Sequence, residues 1–296
     1  MNDPIDIVIP WVNPFDVVWQ QDFRHYKLLD SGDCDFGRFR DCNTLRYVLR
    51  SIEKNCLWCR YVFLVLASST QIPSWLNTIC PRLKIVYHKD YIPSEYLPTF
   101  NTNVIEIFYS NIEELSDNFI LCNDDTFFCE TLPDTFFFID NKPVYNLAKE
   151  YGFSDTDWGV QLSNSLNAAK LVMQTNVDAY STHHLPVSYS KGINAFCLYK
   201  LGSYIWGSLG NSRFRTRTDI LQNLFYYVTI KLGRFVADSR VRGKFYFFDN
   251  SKPIYDFNYP MVCLNESGMI SNEDIGYMVA QLDRQFPSIS CFEKPE

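Results

Sequence analysis

Four signatures that would each have pointed to a chemistry are missing from the 296 residues. There is no GxGxxG turn, no GxxxxGK[ST] loop, no GxSxG elbow and no HExxH helix, so dinucleotide, P-loop, α/β-hydrolase and zincin readings lose their usual supports. Basic charge is also short. The 27 Lys and Arg against 34 Asp and Glu leave a net charge of −7, which argues against a general nucleic-acid binder, because neutralising phosphates takes a basic face. Any anion site must be local. The longest apolar run, Tyr61-Val62-Phe63-Leu64-Val65-Leu66-Ala67, is far too short to span a bilayer. The start, Met1-Asn2-Asp3-Pro4-Ile5, has no basic segment followed by an apolar core, so a cytoplasmic protein is the expectation. Linkers rich in Pro, Gly or Ser are absent too, as are repeats, and one compact domain over 1–296 is the simplest account.

Ten cysteines are scattered through the chain without an export signal, which favours reduced and mostly buried thiols over a disulfide framework. Cys56-Leu57-Trp58-Cys59 is the only CxxC, with no second pair to complete a zinc site. Aromatics are plentiful at 17%, through 24 Phe and 19 Tyr; these suit thick cores and stacking surfaces.

The spacing of apolar residues predicts strands at 5–9, 61–67, 83–87 and 118–122. It predicts helices around Leu45, Val48, Leu49 and Ile52, and again from Val104 through Leu115. That order is one of a mostly parallel, Rossmann-like α/β sheet with helices on its faces. The second half is less regular, with helices expected at 157–175, 218–232 and 271–286 and strands at 244–248 and 260–264. The α/β core is thus expected over about 1–150 and 240–296, with a more helical insertion over about 151–239.

Five places carry chemistry. Strand 118–122 is apolar enough to be buried on both faces and delivers Asn123, Asp124 and Asp125 to the sheet's rim, where such sheets bind ligands. Three hard oxygen donors there suit Mg2+ or Mn2+; a plain Asn-Asp-Asp turn is the other reading. Trp11, Asn13 and Asp16 follow the first strand and could stack on and bond a nucleotide, or form a simple Asx turn. His183 and His184 precede Pro186, and a histidine is the usual general base for a hydroxyl nucleophile. Arg213, Arg215 and Arg217 share one face if their segment is extended, and three guanidiniums in an acidic protein suit a diphosphate; a solvated or carboxylate-paired basic patch is the other reading. Asn265 and Glu266 end a strand and could complete a metal shell.

These residues resemble the Stealth family of sugar-phosphate transferases, which includes bacterial capsular polysaccharide phosphotransferases and the catalytic part of the lysosomal-enzyme GlcNAc-1-phosphotransferase. The first block is Ile5 to Asn13 with Asp16 and Trp19. The second is the most specific: Arg40-Asp41-Cys42-Asn43-Thr44-Leu45-Arg46-Tyr47, Pro73-Ser74-Trp75-Leu76, Leu97-Pro98-Thr99-Phe100-Asn101, Ile105-Glu106 and Asn123-Asp124-Asp125. His184-Leu185-Pro186 and Arg213-Phe214-Arg215 with Asp219 resemble the third block. Cys263-Leu264-Asn265 with Phe286-Pro287 and Phe292-Glu293 resemble the fourth. The chain departs from the family at Glu266, where aspartate is common, and at Thr44, where an acidic residue is common and would neighbour Arg46.

The resemblance implies a nucleotide-sugar transferase fold, a UDP-sugar donor, Mg2+ or Mn2+, and a glycan acceptor. Asp124 and Asp125, with Asn265 or Glu266, would hold the metal. Arg215, helped by Arg213 or Arg217, would neutralise the diphosphate, and His184 would take the acceptor's proton. Trp11, Asn13, Asp16, Arg46 and Asn101 would line the donor site. The implied product is a phosphodiester in a capsular or exopolysaccharide, with UMP released, and peripheral docking to a membrane capsule-assembly complex fits that role. A metal-dependent glycosyltransferase releasing UDP and a non-catalytic carbohydrate-binding protein remain the alternatives.

Overall fold

The structure is a computed structural model that describes residues 2–30, 32–182, 184–248, 251–266 and 270–295. Strand β1 (Ile5–Pro10) lies at the centre of the main sheet, and Ile7, Val8 and Ile9 are all fully buried, as expected of a strand covered on both faces. Its one acidic residue, Asp6, is fully buried too. It accepts two bonds from the Arg60 guanidinium (2.9 and 2.6 Å) and one each from the backbone N–H of Tyr61 and Ser116. That fork ties β1 to its neighbours where an unpaired carboxylate would be costly.

After β1 come helix α1 (Val17–Lys27), helix α2 (Leu45–Asn55) and strands β2 (Cys59–Leu66) and β3 (Leu83–Tyr87). Short helices α3 (His88–Tyr91) and α4 (Thr102–Ile107) then lead to β4 (Asn118–Leu121) and β5 (Thr126–Phe128). Strands β4, β1, β2 and β3 lie side by side and parallel, and Val187–Ser190 adds an antiparallel edge strand next to β4. The fold is α/β with a mostly parallel central sheet, as expected.

Alternation along the strands divides the core. Ile5, Ile7 and Ile9 face α2 through Leu45, Val48, Leu49 and Ile52. Val8, Phe63 and Phe119 face the other way, onto Ala168, Ala169 and Val172 of helix Asp157–Met173 and onto Leu224 to Val228 of helix Asn223–Lys231. The stretch 151–239 thus covers one face of the sheet and supplies its edge strand. A second small sheet orders Lys244–Phe248, Met261–Glu266 and β5, with β5 antiparallel to its neighbour. No helix among the described residues is long and apolar enough to cross a membrane.

Two helices are shorter than the apolar spacing predicts. Helix α4 ends at Ile107; Phe108 leaves helical geometry and a single 3-10 turn, Tyr109–Asn111, follows. The apolar positions remain buried, and the Asn111 amide donates to Tyr91 O, which ties the turn to α3. The helix expected from residue 218 starts at Asn223. Thr218 is instead drawn into a turn, donating to Ser208 O, while Thr216 donates to Asp219 Oδ1. The last helix, Asn272–Gln285, begins with a Ser271–Asp274 capping box.

The chain's end is fastened under α2. Arg50 makes a two-bond fork to Glu293 (both 2.8 Å) with both side chains nearly buried, and Asn77 N–H bonds Phe292 O. Changing Glu293→Gln leaves Arg50 buried against a neutral amide and should cost about 3 kcal/mol in urea unfolding. A loss under about 1 kcal/mol would mean that Arg50 re-pairs freely with solvent or Asp283.

Candidate active site

A cleft of about 560 Å³ opens at the ends of β1 and β4. The strands put it there: Cys122 N–H continues the β4 ladder onto Val8 O, after which Asn123 O accepts from Thr126 N and turns the chain into β5. Asp124 and Asp125 sit on that turn, facing the cleft. Trp11, His184, Arg215, Asn265 and Glu266 line it as well. His183 lies outside the described residues.

The pairing of β5 with Met261–Glu266 brings the two carboxyl-bearing ends together. Leu264 N–H bonds Asp125 O (2.9 Å), and the Asn265 amide nitrogen stands 3.2 Å from Asp125 Oδ2 and 3.4 Å from His184 Nε2. The exposed His184 ring meets Phe245 edge-on at 5.4 Å. Burial, then Asp125, then Asp41 push the Asp124 carboxyl well above the usual carboxylate range. Such mutual repulsion in a dry turn is what a bound cation relieves, and the donors offered are hard oxygens. Glu266 lines the same cleft, but its carboxylate is already engaged by Arg40 (2.9 Å) and by the Cys42 thiol (3.2 Å). It therefore neutralises Arg40, while its Oε1 is buried without a hydrogen bond.

Opposite charge comes from Arg215, half-buried and lining the cleft, whose backbone O accepts from Asp33 N–H (2.8 Å). Burial and the neighbouring Arg38 lower its pKa. The expected row of three arginines does not form. Ser212 and Arg213 N–H bond the Asp30 carboxylate, and Phe214 is fully buried against Phe100 (5.0 Å, interplanar 13°), so the segment bends. Arg213 turns to Glu95 O and the Tyr26 ring, and Arg217 pairs with Asp155 and Asp157 at the surface.

Four other expected donor contacts also have structural employment outside the cleft wall. Asn13 accepts from Phe15 N–H, and its backbone bonds Gln71. Asp16 caps α1 through Val18 N–H and accepts from Thr70 and Gln71, because the first strand's loop must be pinned to the loop after β2. Arg46 reaches Glu293 (3.5 Å) and stacks over Trp75. Asn101 is fully buried; with Asn103 it donates to Asp219 Oδ2 (both 2.8 Å). That junction fixes the loop before α4 against the segment carrying Arg215.

Sequence reading missed two cleft residues. Arg38 lines the cleft within the field of Arg215 and pairs with Asp33 (2.5 Å); its signal was legible, since Arg38-Phe39-Arg40 repeats the pattern Arg213-Phe214-Arg215. Glu106 of α4 also lines the cleft, and burial pushes its carboxyl up to about 7 although Arg215 pulls the other way. An unfolded glutamate titrates near 4.5, so between those values the fold holds a proton that the unfolded chain has lost. Stability then falls as pH rises through this window and levels above it. Glu106→Gln should remove the decline, leaving the variant about 3 kcal/mol more stable than the parent at about pH 8 and equal at about pH 4. Parallel urea-midpoint profiles for the two proteins would contradict this.

A profile described as "Stealth protein CR2, conserved region 2" matches residues 38–145. The capsular polysaccharide phosphotransferase WcwK of Streptococcus pneumoniae is 27% identical over 99% of this chain and 100% of its own length. The capsular polysaccharide phosphotransferase fcs1 of Haemophilus influenzae is 34% identical over 75% of this chain and 64% of its own. The exopolysaccharide phosphotransferase cps2G of Lactiplantibacillus plantarum is 27% identical, covering 98% and 96%. Among solved structures, a galactosyltransferase, LgtC, with donor and acceptor sugar analogues aligns over 98% of each chain at a TM-score of 0.46 and 12% identity, too distant a likeness to bear on this cleft.

Proposed function

The chain belongs to the Stealth family, and from that premise we propose that it moves a hexose- or N-acetylhexosamine-1-phosphate from a UDP-sugar to a hydroxyl of a glycan acceptor, in capsular or exopolysaccharide synthesis. The relatives are named phosphotransferases of capsular polysaccharide or exopolysaccharide. The observation that carries the reading is the cleft's charge division: Asp124 and Asp125 at the end of β4, and Arg215 with Arg38 in the same wall. A diphosphate bridged by a divalent cation fits both halves; a neutral sugar alone fits neither.

Mg2+ or Mn2+ held by Asp124 and Asp125 would supply neutralisation of the diphosphate. Arg215, half-buried and held by the Asp219 junction, is placed to pair with phosphate oxygens, and Arg38 can exchange Asp33 for the same anion. Two guanidiniums whose positive charges already repel each other gain most from an anion between them. Trp11 offers an indole wall at the end of β1. His184 Nε2 takes the proton of the acceptor hydroxyl as its oxygen attacks the phosphorus that carries the sugar. The bond from that phosphorus to the bridging oxygen breaks, and UMP leaves with the electron pair. Asn265, between Asp125 and His184, keeps the base close to the carboxylates. Catalysis is then chiefly positioning and charge stabilisation, as in other phosphoryl transfers.

The nucleotide released is the first test. UMP is expected with any donor the enzyme accepts, and UDP would instead mean attack at the sugar carbon and a glycosyltransferase. His184→Ala should lower kcat about a hundredfold or more with donor affinity retained. Asp124→Asn should abolish the metal dependence of donor binding, measured by calorimetry with and without EDTA. Donor binding that ignores EDTA in the parent protein would sink the metal assignment.

A further inference from the structure

Three different ligand chemistries meet at the base of the cleft. A carboxylate oxygen of Asp125, a ring nitrogen of His184 and the thiol sulfur of Cys263 all lie within 4.8 Å of one another. They come from the turn after β4, the segment before the edge strand Val187–Ser190, and the strand Met261–Glu266. The second sheet explains the meeting: Cys263 is paired with Thr126, so its neighbours in the ladder are the residues that follow Asp125. Cys263 is fully buried beneath the cleft wall, Asp125 is half-buried and His184 is exposed, which leaves one open side.

The donor set differs in kind from the one that suits the proposed catalytic ion. Mg2+ wants oxygen throughout, whereas carboxylate, imidazole and thiolate together suit a borderline ion such as Zn2+. Three protein ligands with an open fourth position is also the form of an accessible zinc site. Zinc bonds of about 2.0 to 2.3 Å put tetrahedral donors about 3.5 Å apart. Closing from the present spacing therefore asks for shifts of about 1 Å, within reach of an exposed histidine ring. The Asn265 amide already holds Asp125 and His184 near each other.

We propose that Asp125, His184 and Cys263 form a binding site for zinc-class divalent ions, and that zinc there inhibits transfer by occupying His184. On binding, the Cys263 thiol loses its proton to solvent and ligates as thiolate, with no change of oxidation state. The binding stands on the three side chains alone. The inhibition rests on the reading of His184 as the base.

The test titrates the full chain with Co2+ in the presence of excess Mg2+. One equivalent should bind, with a near-ultraviolet thiolate-to-cobalt band and the visible absorption of a four-coordinate ion, and Zn2+ should bleach both. Cys263→Ala should remove the thiolate band, and His184→Ala should weaken binding about tenfold or more. Cys42→Ala and Cys291→Ala should leave the spectrum as it is, which guards against signal from other thiols. Survival of the band in Cys263→Ala overturns the site. If Cys263→Ala does not fold, as judged by circular dichroism, the exposed His184 decides: unchanged cobalt affinity in His184→Ala overturns it. Turnover measured in parallel should fall over the range of Zn2+ that bleaches the cobalt spectrum. The expected spectrum with undiminished turnover would keep the site and overturn both the inhibition and the role of His184.

Discussion

Negative charge crowded into a poorly hydrated turn is the constraint around which this protein is arranged. Strand β4 is buried from end to end and cannot be shifted without exposing Phe119 or Ile120. Its exit turn therefore delivers Asp124 beside Asp125 and within the field of Asp41, and burial together with those neighbours pushes the Asp124 carboxyl up. A lone turn would relieve this by opening to water. Here β5 returns at once into a second sheet and the Asn265 amide donates to Asp125, so both carboxyls are kept together at the cleft end of β4.

The other side of the cleft answers a different problem, that of holding a guanidinium at a rim without letting it swing to the surface. Asp219 solves it. Nearly devoid of solvent contact, it gathers the amides of Asn101 and Asn103 and the hydroxyl of Thr216. Phe100 and Phe214 stack beside it, with Trp19 and Phe23 packed around them. The loop before α4 and the Arg215 segment are thereby one rigid piece, though they are more than a hundred positions apart in the chain. Preorganised charge of this kind is where phosphoryl transfer finds most of its advantage.

The parallel sheet was legible because its strands are largely apolar runs, and the carboxylate turn because it follows one of them directly. His184, Arg215 and Asn265 stood out as chemistry, yet their meeting in one cleft did not: it depends on an antiparallel edge strand, Val187–Ser190, and on the pairing of the expected strand at 260–264 with β5, which no periodicity announces. The arginine row misled because period two was applied to a segment that side-chain bonds from Asp30 and the burial of Phe214 bend out of any strand. Asn13, Asp16 and Arg46 stand apart from the cleft lining for another reason. Polar residues at a strand end or helix start look alike whether they face a ligand or pin a loop, and only the partners Gln71, Thr70 and Glu293 separate the two cases. Glu106 went unassigned because nothing local marks a helix glutamate whose burial is created by residues distant in the chain.

The account's central claim is that the cleft transfers phosphorus together with its sugar. A donor labelled with 32P at the phosphate next to the sugar follows that atom directly. The account predicts that the label enters the glycan and survives there as a phosphodiester, in proportion to turnover. Label recovered wholly in free nucleotide, with unlabelled sugar in the glycan, would contradict it.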